Sequence, residues 1–394
     1  MGGSPESPLP TQKRYGGKDT WKTKMRVLIV KKGSLHDPGA AALEFVPKVL
    51  ADMGHEVMVL AHRGEKTQGL VQGEIRVELA GEGKRWLRAV RNAMRNFEPE
   101  ICHVHIHHGC GLYPLLFKGS KPRSFVLDIR SPLLSTGVQR KLRRWKNFLE
   151  ALPYDAICAH GVESGRDVVG PWREIHWVPP GVDFGLLPEV EMDGLHSPLR
   201  LVYVGSSSRK RGIRRMLEAI AIASRSMELL ADLFVYDDRD SPEKAIEEFG
   251  LGSIARVREP LPRALLFREL TTYDIGLAYI PKVPYDVAPP LKTQEYLACG
   301  LAVVGTDTAG NRMFVKEGVT GVLVPEDPAC FARGILEAVN KIPFPEVRAI
   351  ARSSMEPFDW KRIVQERLVP LYERLLPKKM KPGKEPLHGT PGTS

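Results

Sequence analysis

From Met25 onward, short apolar runs alternate with stretches whose apolar residues return every three or four positions. "MRVLIV" has the continuous β-branched character of a fully buried strand, "GAAALEFVPKVLADMG" repeats its apolar residues at helical spacing, and "HEVMVLA" is a second buried run. Strand, helix and strand in that order make a βαβ unit, which places the strands parallel with a right-handed crossover. Further strands are expected at "EICHVHIH", "RSFVLDI" and "DAICAH", down to "IHWVPPGVD". From Leu199 the alternation restarts with "LRLVYVG", a helix "IRRMLEAIAIAS", then "ADLFVYD", "DIGLAYI", "LAVVGT" and "GVLVP". The expected fold class is therefore α/β, with two doubly wound Rossmann-like domains over residues 25–180 and 199–355. A linker at 181–198 joins them, and a ligand cleft lies between. Residues 1–24 and 378–394 are polar and rich in Gly and Pro, and read as disordered tails.

One stretch combines scaffold with chemistry. In "PPLKTQEYLACGLAVVGTD", from Pro289 to Asp307, the doubled Pro suits a helix start and Gly300 suits its end, before a buried strand whose carboxyl end opens at Thr306 and Asp307. Ligands of open α/β sheets sit at such ends. Lys292 falls in the first turn of that helix, where a cation opposes the helix dipole and is hard to explain unless an anion lies near; Glu295 follows three residues later. Arg209, Lys210 and Arg211 follow the strand end at Gly205 and precede Gly212, so one or two of them reach the same cleft, and the alternative is a solvated turn. "GSSSRKRG" is not a P-loop, because the G-K-[ST] ending is missing.

Composition narrows the class. A chain of 394 residues, 43% hydrophobic and 26% charged, is an ordinary globular protein of about two domains. Five cysteines without a C-x-x-C pair suggest a reduced, intracellular protein. No apolar run is long enough for a membrane span, and the first 24 residues lack the apolar region of a signal peptide. The net charge of +10 implies an anionic partner without choosing among a phosphate ligand, nucleic acid and anionic lipid. Residues 118–146 hold nine basic residues against one acidic, and "VQRKLRRWKNFLEAL" sets Val138, Leu142, Trp145, Leu149 and Leu152 at helical spacing. That stripe is expected to pack into the core, leaving Arg140, Lys141, Arg143, Arg144 and Lys146 as an outward basic surface suited to an anionic membrane.

"HVHIHH" places His103, His105 and His107 in alternation, as if on one strand face, which invites a metal site; no Cys, Asp or Glu at ligand spacing joins them, and no metal is expected. A dinucleotide-binding reading fails because no G-x-G-x-x-G follows Ile29.

These residues carry a family resemblance. "YVGSSSRKRGIRRMLEAIA" and, nearly end to end, "LKTQEYLACGLAVVGTDTAGNRMFVKEGVTGVLVPEDP" are similar to the nucleotide-sugar-binding domain of the retaining glycosyltransferases of the GT-B fold, family 4. "EICHVHIHHG", "FVLDIRSP" and "VPPGVD" fit its first domain, and "MEPFDWKRIVQERLVPLYERLL" resembles its closing helix, which crosses back to the first domain over residues 356–377. The resemblance covers about Met25 to Leu376. It implies the GT-B fold and a retaining, metal-independent hexosyltransferase of glycan biosynthesis, working on a nucleoside diphosphate sugar without a cofactor.

Carried over by residue, the resemblance gives the donor diphosphate to Gly205, Arg209, Lys210, Arg211 and Lys292, and the ribose hydroxyls to Glu295. Asp128 and Arg130 become candidates for acceptor positioning or sugar contact, the alternative being a buried ion pair. Gly39, His105 and His107 fall on the acceptor side. The family's first Glu is replaced by Val287, so either the adjacent Asp286 substitutes or backbone amides alone grip the sugar. The acceptor would be a sugar, a polysaccharide or a lipid-linked group, with no nucleic acid, and the protein cytoplasmic or peripheral on the inner face of the membrane. A catalytically silent nucleotide-sugar-binding protein and a GT-B-fold sugar epimerase are the alternatives.

Overall fold

The computed structural model describes residues 24–32, 41–62, 75–81, 83–119, 123–190 and 194–376. The expected tails, save Lys24, and Gly39 lie outside them. The first sheet contains β1 (Arg26–Lys31), β2 (Glu56–His62), β3 (Arg76–Ala80), β4 (Ile101–His105), β5 (Ser124–Ile129), β6 (Ala156–Ala159) and β7 (His176–Trp177), ordered 3-2-1-4-5-6-7. The second contains β8 (Leu199–Gly205), β9 (Leu229–Val235), β10 (Ala255–Arg258), β11 (Ile275–Ala278), β12 (Ala302–Thr306) and β13 (Gly321–Val324), ordered 10-9-8-11-12-13. Every pairing within them is parallel. The strand order reverses between β1 and β4 and again between β8 and β11, so each domain has a crevice at the carboxyl ends of those strands.

Two strands have no counterpart in the apolar pattern, β3 ("RVELA") and β10 ("ARVR"). Both are edge strands. One side of an edge strand faces water, so its charged residues break the continuous run that marks a strand buried on both faces.

The first sheet separates its residues by parity. Val27, Ile29, Val57 and Val59 enter one apolar layer, while Leu28, Val30, Met58 and Leu60 enter the other. The second layer is covered by Trp86, Val90, Tyr113 and Tyr154. The first is covered by the closing segment, through Trp360, Ile363, Val364, Leu368 and Tyr372. Trp360 stacks on Phe45 with ring centroids 6.3 Å apart. This segment is helical at Trp360–Ile363, takes one π turn at Val364–Leu368 and resumes at Val369–Leu375. The wider turn precedes Pro370, which has no N–H to offer the regular ladder.

One expectation is overturned. Val138, Leu142, Trp145, Leu149 and Leu152 are exposed rather than packed in the core. The helix Gly137–Ala151 turns its polar side inward instead: Arg140 and Arg144 both reach Asp167, at 2.5 and 2.8 Å, and Glu150 accepts from the Gly109 and Gly111 amides. Four polar bonds set the roll of this helix, and two of the five cations expected on the outward surface are spent on them.

The helix Leu291–Ala298 is seated by Tyr296, which is fully buried and accepts from the Val204 N–H at 2.7 Å. Gly276 on β11 makes room for it, since an added Cβ there would overlap the Tyr296 ring. Gly276→Ala should therefore cost about 3 kcal/mol, as overpacking of a filled core does. Urea unfolding with a midpoint equal to wild type would show that the ring has another place to go.

Candidate active site

The loop after β8 is tied down before it reaches the cleft. Ser206 donates its hydroxyl to Asp237, and Ser207 donates both its N–H and its hydroxyl to Asp237 Oδ1, each at 2.7 Å. A short 3₁₀ turn at Arg209–Arg211 follows, and Gly212 closes it at φ 69° in the left-handed region. An added Cβ there would meet Tyr279 at 2.8 Å, so conformation and space both require glycine. Arg211 is brought over the Tyr285 ring, 4.3 Å from its centroid. Lys210 is exposed, and the side chain of Arg209 lies outside the described residues.

Lys292 arrives from the opposite side, in the first turn of Leu291–Ala298. Its Nζ stands 3.6 Å from the Tyr203 ring centroid. Gly205 permits this, because a Cβ at that position would lie 2.8 Å from the ammonium and 3.0 Å from the Tyr203 hydroxyl. Burial and, after it, the nearby Arg211 guanidinium hold the Lys292 amine well below the ordinary lysine range. Among the described residues, neither Lys292 nor Arg211 has a carboxylate within ion-pair distance. An aromatic face is worth about 0.5–2 kcal/mol to a cation, whereas burying a charge costs several. The pair is thus an unanswered positive site that an anion would complete.

Glu295 lies one turn along the same helix, with its carboxyl raised by burial against the opposing effects of Arg263 and Lys292. Its Oε1 is 3.6 Å from Arg263 Nη1. Asp286 is committed locally: its carboxylate accepts from the Ala309 N–H at 3.1 Å and its carbonyl from the Gly310 N–H at 2.8 Å, joining two loops beside the helix start.

In the first domain a chain of polar contacts crosses the carboxyl end of the sheet. Asp128, 1% exposed, receives Arg130 Nε at 2.5 Å and His103 Nε2 at 3.0 Å, with His105 Nε2 at 3.5 Å. His103 Nδ1 lies 2.9 Å from the Tyr372 hydroxyl, on the closing segment. Arg130 Nη1 donates to His160 Nε2 at 2.9 Å. Although burial opposes ionisation of Asp128, Arg130 and then the histidines hold its carboxyl well below the usual range. Burial and the Arg130 charge push the His160 imidazole down to about 3, so it accepts from the guanidinium as a neutral ring. The two domains meet here. Gly161, next to His160, faces Pro289, whose ring would stand 3.3 Å from a Cβ on the glycine, and Gln294 donates to the Pro180 carbonyl at 2.8 Å.

The histidine expectations need correction. β4 ends at His105, so His107 does not share the face of His103 and His105; it turns aside onto the Tyr113 hydroxyl at 2.9 Å, which also receives Trp86 Nε1. An acidic residue does join the other two: Asp128, paired with His105 in the β4–β5 register, brings three ligand atoms within 4.8 Å. Sequence spacing could not show this, because the acid comes from the next strand. These groups are a poor fit for a cation, since Asp128 already answers a guanidinium and both His103 nitrogens face partners. His105 is lowered well below the usual imidazole value, first by burial.

The structure thus brings Gly205, Arg211, Lys292 and Glu295 together in one domain and Asp128, Arg130 and His105 in the other. It adds residues that the sequence reading missed. Tyr203 and Tyr285 form the shelves beneath the cations; Tyr203 is one apolar-looking residue inside a strand and carried no signal. Arg263 faces Glu295 from a separate helix. His160 could have been found, because it closes "DAICAH" at a strand's carboxyl end.

Residues 198–341 match the family model described as glycosyl transferases group 1. D-inositol 3-phosphate glycosyltransferase 1 of Catenulispora acidiphila is 29% identical over 224 residues, 51% of this chain and 51% of that protein. The chain spans about half the length of the curated relatives it matches. Sucrose-phosphate synthase of Thermosynechococcus elongatus shares the fold at a TM-score of 0.73 and 16% identity, covering 89% of this chain and 99% of that one. Anabaena HepE, solved with UDP and glucose, does so at 0.70 and 15%, covering 89% and 100%. Both are GT-B proteins, and the two parallel sheets described above are that fold.

The depressed Lys292 amine carries a stability cost. The unfolded chain holds this proton up to the ordinary lysine value and the folded chain does not, so the cost grows as pH falls from that value toward the depressed one. Lys292→Met fills the same space without the charge and should stabilise the ligand-free protein by about 0.5–2 kcal/mol at neutral pH, less at high pH. A lower melting temperature in the variant at neutral pH would overturn this account.

Proposed function

We propose that this chain, whose residues 198–341 match the glycosyl transferases group 1 model, is a retaining, metal-independent glycosyltransferase that moves a hexose from a nucleoside diphosphate sugar to an acceptor. The observation that carries this reading is the convergence of Lys292 and Arg211, without a carboxylate partner, at the crevice of the second domain. Departure of a nucleoside diphosphate leaves negative charge on its terminal phosphate, and fixed cations together with the amides at the start of Leu291–Ala298 stabilise charge developing there. Glu295 is suited to accept from two vicinal ribose hydroxyls, taking the place Arg263 now has beside it.

Glu295 and Asp286 do not form a glycosidase pair. Glu295 faces Arg263, and Asp286 holds a backbone amide. Retention then proceeds by attack on the face the diphosphate leaves: the anomeric carbon loses its bond to the phosphate oxygen, the acceptor oxygen takes that position, and the acceptor proton passes to the phosphate. Arg130, held by Asp128 and His160, stands at the first-domain side of the same junction and is the residue proposed to contact the sugar or acceptor. Asp128 and His160 position it.

A second reading has an observation behind it. Val287 replaces the family's first Glu, and Asp286 is engaged with Ala309, so a silent nucleotide-sugar-binding protein would carry the same cation site. Nucleotide release from a panel of nucleotide sugars, with and without acceptors, separates the two. The transferase releases nucleotide; a binder that retains the donor intact takes over as the account if no release occurs.

Replacing Arg211 or Lys292 by Ala removes a charge-assisted contact of about 1.5–3 kcal/mol, so nucleoside diphosphate affinity should fall about tenfold or more without loss of fold. Wild-type affinity by calorimetry in both variants would remove the assignment. Glu295→Gln keeps the shape but accepts ribose hydroxyls less well. Donor affinity or turnover should drop at an unchanged melting temperature, and a variant as active as wild type would show that the ribose is held elsewhere.

A further inference from the structure

The helix Gly137–Ala151 is inside out. Its apolar stripe is exposed to 72% at Val138, 62% at Leu142, 64% at Trp145 and 43% at Leu149, continuing at 47% through Leu152 just past its end. The neighbouring helix Leu112–Phe117 also exposes Leu112, Leu115 and Leu116, all by more than half. The two helices touch where Gly111 meets Glu150, with room for no side chain between them, since a Cβ would stand 2.9 Å from the Glu150 backbone. An apolar stripe this exposed on a folded domain marks a binding surface.

The cations divide according to the side they occupy. At 100° per residue, Lys141 lies about 60° to one side of the stripe and Lys146 about 80° to the other, whereas Arg143 is about 140° round, toward the far side. All three are exposed, and none forms an ion pair among the described residues. Arg140 and Arg144 lie on the far side, where Asp167 takes both. Asp167 also accepts from the Leu133 N–H, and Arg140 donates to the Leu133 carbonyl, so the same carboxylate fastens the loop leading from Arg130 to this helix.

We infer that this face docks on an anionic lipid bilayer, with the apolar stripe and Trp145 entering the interface and Lys141 and Lys146 meeting the headgroups. A second copy of the chain fits poorly. A two-fold contact would set Lys141 and Lys146 against themselves, residues 118–146 hold nine basic residues to one acidic, and Glu150 is engaged with backbone amides. An anionic leaflet supplies the missing charge, and a tryptophan among basic residues suits the boundary between headgroup and acyl chain. Among the described residues no helix is long and apolar enough to cross a membrane, so docking is peripheral. The inference rests on the transferase reading only in its consequence, that the acceptor is met at the bilayer surface, on a helix that begins seven residues along the chain from Arg130.

The test needs neither donor nor acceptor. The full chain is sedimented with vesicles of phosphatidylcholine alone and of phosphatidylcholine mixed with phosphatidylglycerol. Binding should require the anionic lipid and weaken with added salt. Each cation near an anionic leaflet is worth about fivefold in binding, so Lys141 and Lys146 changed together to Gln should weaken it about twenty-five-fold. The exposed Lys244 and Arg268 of the other domain, changed likewise, match the charge loss and should leave binding in place. Leu142→Ser with Trp145→Ser should abolish it at unchanged circular dichroism. Equal recovery with both vesicle types, or equal loss in the two Gln pairs, would overturn the inference. So would a concentration-dependent dimer that the double Ser variant dissolves, which would assign the face to a second copy. Donor hydrolysis by a protein that ignores anionic vesicles would sink the docking surface and leave the transferase reading standing.

Discussion

A half-buried lysine amine beside a guanidinium, with an aromatic ring where a carboxylate would ordinarily stand, is the constraint around which the second domain is arranged. Lys292 and Arg211 come from different elements and repel one another, so neither position is one that folding alone would favour. Each is imposed by neutral packing. Tyr296 anchors the helix that carries Lys292 to β8, and Gly276 and Gly205 remove the side chains that would prevent the approach. Asp237 fastens the loop that carries Arg211. The stability is supplied by apolar and backbone contacts a few ångströms away, and the site keeps its unanswered charge for a ligand.

The first domain holds its charge differently. Arg130 is surrounded by partners: Asp128 beneath it, His160 beside it, and behind Asp128 a line through His103 to the Tyr372 hydroxyl. Tyr372 belongs to the closing segment, which also completes one apolar layer of that domain's core. The end of the chain therefore supports both the packing of the first domain and the orientation of its cleft cation. The contact of Gly161 with Pro289 and the bond from Gln294 to Pro180 bring this cation to the start of the helix bearing Lys292. One domain presents an open positive site and the other a braced one.

The outward helix shows how local pattern and tertiary bonding can disagree. Periodicity identifies the stripe from Val138 to Leu152 but cannot say which way it points. An apolar stripe ordinarily turns inward because burial of each large side chain is worth about 1.5–3 kcal/mol. Here the opposite side carries Arg140, Arg144 and Glu150, all with partners on neighbouring elements, and its roll follows those bonds.

What the sequence by itself determined is the α/β alternation, the two parallel-sheet domains and the most diagnostic segment, from Pro289 to Pro328. Fully buried strands and helix termini depend on local residue type, which is legible in order along the chain. Gly205, Arg211 and Lys292 could be singled out because they lie at or just after a strand end and in a helix's first turn, positions that local pattern reveals, and Glu295 through the family resemblance. Tertiary structure alone decided the edge strands β3 and β10, the tyrosine shelves, the union of Asp128 with His103 and His105, the partnership of Arg130 with His160, and the roll of Gly137–Ala151. Each depends on which residue of one element faces which residue of another. That pairing is set by sheet register, crossover and helix roll, and these exist only when the whole chain is packed.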